Sequence, residues 1–193
     1  MTQHSVAVIV GSLRKGSFSR MAARALIERA PASLACRFVE IGELALYNQD
    51  LDEGEPPASW RTFRDQVRGA DAVLFVTPEY NRSVPGVLKN AIDVGSRPYG
   101  QSVWAKKPAA VISVTPSALG AFGANHALRQ SFVFLDMPVM QQPEAYIAGA
   151  HKLFDDAGRL TVESTSEFFA AFMTGFAGWI GLVRGGAAQG QIA

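Results

Sequence analysis

The sequence predicts an α/β fold, with one open, mostly parallel sheet covered by helices on both faces. Three observations predict it. Short apolar runs rich in β-branched residues alternate with segments of helical periodicity, the pattern of βαβ crossovers. The first, third and fourth of these runs (5–10, 70–77 and 108–114) are almost continuously apolar, as parallel strands buried on both sides are. The chain has 193 residues, enough for one packed domain over 1–193 and too few for two ordinary ones.

The elements follow in order. SVAVIV (5–10) is the first strand and ends at Gly11; 20–29 suits a helix stopped near Pro31. The run 34–41 is the second strand, followed by a loop rich in acids and prolines, 46–57. A helix over 58–68, a strand over 70–77, a helix over 84–97, a strand over 108–114 and a helix over 125–135 come next. A fifth strand within 137–147 is broken by Pro138 and Pro143. The last helix begins near Ser164, whose relation to Glu167 fits a capping box. Five strands in such a sheet fit the order 2-1-3-4-5, where ligands sit beyond the carboxyl ends of the strands, at the switch between strands one and three. The residues after Val10, Thr77 and Val114 are therefore the ones that matter for function.

Composition narrows the classes. Lys plus Arg number 18 against 17 Asp plus Glu, a formal charge of +1, which leaves no electrostatic footprint for nucleic acid. The lone cysteine, Cys36, cannot form an intramolecular disulfide and reads as a small core residue. His4, His126 and His151 lack zinc-ligand spacing, so no metal site is expected, and His126 reads as a helix-surface histidine. Residues 1–5 are too short and polar for a signal peptide. The charge-free stretch 168–183 falls short of the roughly 20 apolar residues that cross a bilayer. The expectation is a cytoplasmic protein with no membrane partner. Phe168, Phe172, Phe176, Trp179 and Val183 form one apolar stripe there, interrupted by Gly175, Gly178 and Gly181.

After Val10 the chain reads G-S-L-R-K-G-S-F-S-R into the first helix. Glycines allow a tight turn, serines offer hydroxyls, and Arg14 offers a planar fork for phosphate oxygens. A helix N-terminus completes an anion site. Ser17 stands where a P-loop needs lysine, and Leu13 breaks the dinucleotide G-x-G-x-x-G pattern. A serine-rich loop with one arginine suits a terminal monophosphate that needs no magnesium.

T-P-E-Y-N from Thr77, followed by S-V-P-G-V-L-K-N-A-I-D, resembles the NADPH-dependent FMN reductase family, which includes bacterial quinone, chromate and azo reductases. The first loop and the later S-V-T-P-S-A-L-G, L-R-Q and P-E-A-Y pieces fall in the same family's order, and the resemblance thins out beyond Tyr146. It implies a flavodoxin-like fold, bound FMN, and NADPH or NADH as co-substrate. Ser12, Arg14, Ser17, Phe18 and Ser19 match the FMN phosphate loop, with Ser19 where many relatives have asparagine. Pro78, Glu79, Tyr80 and Asn81, with Ser83 close behind, match the loop that holds the isoalloxazine ring. Ser113, Ser117 and Gly120 match the third loop, at the ring's other edge.

A flat cofactor needs a slot with backbone donors and an aromatic wall, which Tyr80 supplies. Glu79 is not assigned as a general base, because hydride transfer through a flavin needs orientation more than proton chemistry, so no catalytic side chain is expected. Asp93 is expected to meet a neighbouring cation. The partner is a small-molecule electron acceptor, and the resemblance implies a homodimer or homotetramer, in which Arg97, Pro98 and Tyr99 reach toward the neighbour's flavin. The competing readings are an electron-carrier flavodoxin without its own substrate, which the charge of +1 disfavours, and a flavin-free regulatory module.

Overall fold

The computed structural model of the chain describes residues 3–189. Strands β1 (His4–Val10), β2 (Leu34–Phe38), β3 (Ala72–Thr77), β4 (Ala109–Val114) and β5 (Tyr146–Ile147) form one all-parallel sheet in the order β2-β1-β3-β4-β5. The helices are α1 (Phe18–Glu28), α2 (Gln49–Asp52), α3 (Ala58–Arg68), α4 (Gly86–Gly95), α5 (Phe122–Phe134) and α6 (Glu163–Gln189). Every residue of β3 and β4 is buried, because successive side chains point to opposite faces and both faces are covered. On one side Val6, Val8, Leu74 and Ile112 meet Leu26 of α1 and Phe169, Phe172 and Phe176 of α6. On the other, Ala7, Ile9, Phe75 and Val111 meet Trp60 and Phe63 of α3, Leu88 of α4 and Phe132 of α5.

The five-stranded flavodoxin-like order stands as the sequence predicts, but several element bounds move. β2 stops at Phe38, and only the Val39 amide continues the ladder, to the Val8 carbonyl at 2.9 Å. The expected fifth strand over 137–147 shrinks to Tyr146–Ile147 plus a single bridge between Ala109 and Val139, since Pro138 and Pro143 have no amide to donate. The loop over 46–57 contains the short α2, fastened by a buried ion pair: Arg64 donates to both Asp52 carboxylate oxygens at 2.8 and 2.7 Å and to the Val94 carbonyl at 2.9 Å.

Ser164 is the second residue of α6, not its cap; the Ser166 amide already bonds to the Val162 carbonyl at 3.0 Å. The buried stripe of α6 is Phe169, Phe172, Met173, Phe176 and Ile180, rotated from the expected one, while Phe168 and Trp179 are only partly covered. The segment Glu163–Gly185 includes an 18-residue stretch of mean hydropathy 1.3, long and apolar enough to cross a membrane by length and composition, contrary to the shorter charge-free run read from sequence. In this fold its most apolar side lies on the sheet, as a core helix does.

Candidate functional site

Three loops meet at the carboxyl edge of the sheet. Gly11 closes β1 by donating to the Val76 carbonyl at 2.9 Å. A Cβ there would stand 3.0 Å from Leu88 Cδ2 and 3.2 Å from Thr77 Oγ1, so the loop after β1 lies tight against the base of the loop after β3. Ser17 caps α1: its buried hydroxyl accepts from the Arg20 amide at 3.2 Å, and its carbonyl takes the Met21 amide. The backbone amides of residues 12–19 have no acceptor among the described residues. Together with the positive end of the α1 dipole they form an anion cradle.

Within this loop Ser12 is half-buried, Ser17 and Ser19 are buried, and Arg14 is exposed. The Arg14 guanidinium carbon lies 5.3 Å from the Phe18 ring centre, and that ring stacks on Phe154 at 6.4 Å. Phe18 therefore offers the cradle its amide, not its ring. A cavity of about 530 Å³ opens beside the loop, bounded by residues 12–17, Arg20 and Arg24 of α1, and the turn 156–158. The other two loops do not border it.

The loop after β3 is a tight hairpin turn. The Tyr80 amide bonds to the Ser83 carbonyl at 3.1 Å and the Ser83 amide to the Tyr80 carbonyl at 3.0 Å, with Asn81 and Arg82 at φ 50° and 66°. Two successive left-handed residues make a type I′-like turn, a strained choice for arginine. Pro78 is half-buried at the base, and its carbonyl accepts from the Thr77 hydroxyl at 2.8 Å. Tyr80 is 52% exposed, its ring free to flank a ligand; Asn81 and Ser83 are exposed beside it. Glu79 turns inward, its Oε2 accepting from the Ala124 amide at 3.0 Å.

Ser113, next to last in β4, turns its side chain to the interior: it is fully buried and donates to the Gly120 carbonyl of the following loop at 2.7 Å. Gly120 has φ +60°, and a Cβ would stand 2.7 Å from that of Tyr146, so only glycine fits. Ser117 is exposed at the rim, its amide bonded to Thr115 Oγ1 at 3.2 Å. Leu119 and Phe122 also project here.

Sequence reasoning missed Asn125, which is fully buried and donates to Ser113 Oγ at 3.2 Å while accepting from Arg129 Nε at 2.9 Å. A lone asparagine in an apolar helix is the signal that was available. His126 is exposed on α5, a helix-surface histidine as expected, and has a partner the sequence did not show. His126 Nε2 lies 2.8 Å from the Tyr146 hydroxyl, which donates onward to Glu144 at 2.8 Å. Burial, then the bond to Glu144 and its charge, push the Tyr146 hydroxyl up to about 12. Asp93 meets Lys89 at 2.6 Å, as expected. Tyr99 is 87% exposed.

A parallel 2-1-3-4-5 sheet with an open amide cradle at its switch point defines a flavodoxin-like, phosphate-binding α/β protein. The family described as NADPH-dependent FMN reductase matches residues 4–152. A quinone reductase of Pseudomonas putida is 64% identical over 181 residues, covering 94% of this chain and 97% of the relative. A 2-hydroxy-1,4-benzoquinone reductase of a Burkholderia species is 46% identical, covering 91% and 95%. The solved structure of FerB, a flavoenzyme NAD(P)H:(acceptor) oxidoreductase from Paracoccus denitrificans, superposes with a TM-score of 0.86 at 41% identity, covering 92% and 97%. The chain belongs to the NADPH-dependent FMN reductase family and is an oxidoreductase.

Proposed function

We propose that the whole chain, 1–193, is one FMN-binding unit that takes electrons from NADPH or NADH and passes them to a quinone-like small molecule. One observation carries this reading: the run of open amides over 12–19, at the amino end of α1 and beside the β1/β3 switch, which suits a terminal phosphate. Ser12, Arg14, Ser17 and Ser19 would hold the phosphate, with Phe18 contributing its amide. Pro78, Glu79, Tyr80, Asn81 and Ser83 would border the ring on one side, Tyr80 as its aromatic wall. Ser117 and the Gly120 backbone would border it on the other, with Ser113 acting through Gly120.

FMN, when bound, supplies the hydride-accepting and electron-passing chemistry. The chain's share is to orient the ring and leave one face open, and no side chain is assigned a proton. Nicotinamide and acceptor then use that face in turn, which gives ping-pong kinetics. The acceptor class rests on the relatives named as quinone and 2-hydroxy-1,4-benzoquinone reductases. A cytoplasmic location follows from the need for reduced nicotinamide nucleotides, and the working unit is a homodimer or homotetramer.

The test is steady-state kinetics on purified protein with both nicotinamides across quinones, chromate, azo dyes and free flavin. The expected result is a yellow protein with parallel double-reciprocal lines and its highest kcat/KM on a quinone. A colourless protein that takes up no added FMN sinks the proposal. A yellow protein that reduces quinone only through a separate reductase is an electron carrier instead.

A further inference from the structure

We propose that Glu79 is a positioning residue whose carboxylate caps α5 and thereby sets the spacing between the two loops bordering the ring slot. This rests on reading loops 78–83 and 115–121 as the walls of that slot. α5 begins without a cap of its own: its N-cap is Ala121, in the left-handed region at φ 58°, and an alanine side chain accepts nothing. The Phe122 amide finds the Leu119 carbonyl at 3.2 Å and the Asn125 amide the Ala121 carbonyl at 3.1 Å. The Ala124 amide is the third in the helix, the one an N-cap serine or aspartate normally satisfies. Here its acceptor is Glu79 Oε2 at 3.0 Å, from 45 residues earlier in the chain.

A second, independent feature points the same way. Gly123 lies under this contact, and a Cβ on it would stand 2.9 Å from Glu79 Oε2 and 2.8 Å from the Arg82 carbonyl. Both the side chain and the backbone of the β3 loop therefore approach α5 as closely as a glycine permits. The other carboxylate oxygen faces Arg82 at 3.5 Å, across the Tyr80–Ser83 turn. With its side chain only 13% exposed and one oxygen bonded to the Ala124 amide, Glu79 braces the loop against α5.

The opposite wall is fastened to the same helical turn. Ser113 holds the Gly120 carbonyl, and Asn125, one residue beyond Ala124, holds Ser113. The first turn of α5 is thus the common anchor of both walls, and the Glu79 bond is what joins the β3 loop to it.

The experiment measures FMN dissociation constants, visible spectra and midpoint potentials of bound FMN, and apoprotein unfolding midpoints for the parent, Glu79→Gln, Glu79→Ala and Gly123→Ala. Gln keeps an acceptor for Ala124, so Glu79→Gln stays nearer the parent than Glu79→Ala in spectrum and FMN affinity, its potential differing by the effect of the lost charge. Loss of one hydrogen bond to a charged group corresponds to a weakening of about tenfold or more in FMN affinity for Glu79→Ala, with a shifted spectrum and potential. Gly123→Ala, which pushes the loop away while keeping Glu79, should reproduce the Ala phenotype even if Glu79→Ala itself does not fold. Parental affinity, spectrum and potential in Gly123→Ala, or in a folded Glu79→Ala, overturn the proposal. So does a Gln variant as impaired as Ala. A parent that binds no FMN overturns the functional reading and this one together, whereas a binding parent with indifferent variants overturns only the role of Glu79.

Discussion

Arg14 and Cys36 show how surroundings set what a residue contributes. Arg14 is exposed, yet its guanidinium rests over the Phe18 ring at 5.3 Å. Stacking of this kind uses the face of the guanidinium and leaves its N–H groups in the plane free to donate. The side chain is held near the amide cradle with its hydrogen-bonding capacity unspent. Arg14→Ala removes a charge-assisted contact of about 1.5–3 kcal/mol, so FMN affinity should fall roughly tenfold to a hundredfold. Titration of apoprotein with FMN, followed by flavin fluorescence, measures this; unchanged affinity would take Arg14 out of the site. Cys36 is the contrary case. Burial pushes its thiol up to about 11, so at neutral pH it stays protonated and unreactive, a packing residue on β2.

At the scale of elements, α6 departs most from the helix its sequence suggests. Of Gly175, Gly178 and Gly181, only Gly175 faces protein, with a Cβ position 3.5 Å from Pro143 Cδ, which is ordinary contact. Nothing lies within 4 Å of a Cβ on Gly178 or Gly181. Among the described residues neither glycine is needed for close packing, so each carries the entropic cost of glycine in a helix without a local gain. Gly178→Ala and Gly181→Ala should each raise stability by about 0.5–1 kcal/mol, seen as a higher denaturant midpoint with an unchanged slope. A loss of stability at either position would mean that something outside this chain packs there. β5 shows the opposite effect: within 137–147, where two prolines break the strand, only a two-residue edge remains, and the loop after β4 is held by backbone bonds such as the Thr115 amide to the Ile147 carbonyl together with the Ser113 hydroxyl to the Gly120 carbonyl.

At the scale of the whole molecule, apolar surface is left over. Val133 and Phe134 at the end of α5 are 83% and 82% exposed, and Leu182 of α6 is 68% exposed. Val133 and Val183 line one groove with Met137 and Pro138, so the two helix ends share a face. Adjacent large apolar groups in water favour association, and closed two-fold dimers are the commonest outcome. The segment 131–140 leaves more apolar surface for a partner than the 168–183 stripe, which packs largely on the chain's own core. The expected result of light scattering at micromolar concentration is a dimer or tetramer. A single 20.7 kDa species with full activity would refute it.

The sequence by itself determined the parallel sheet, its strand order and the open amides of the loop after β1. The central strands β1, β3 and β4 are covered on both faces over most of their length and so are almost continuously apolar, which is readable locally. The cradle is also local: glycine, serine and a helix start within ten residues generate its open amides. Edge strands were less legible, since β2 and β5 each have a single neighbour and carry weaker apolar patterns. Only the tertiary structure decided what Glu79, Ser113, Gly123 and Asn125 do. Their partners lie on other elements, 45 residues away for Glu79 and Ala124 and 12 for Asn125 and Ser113. A hydrogen bond depends on distance and direction after folding, and residue type alone encodes neither.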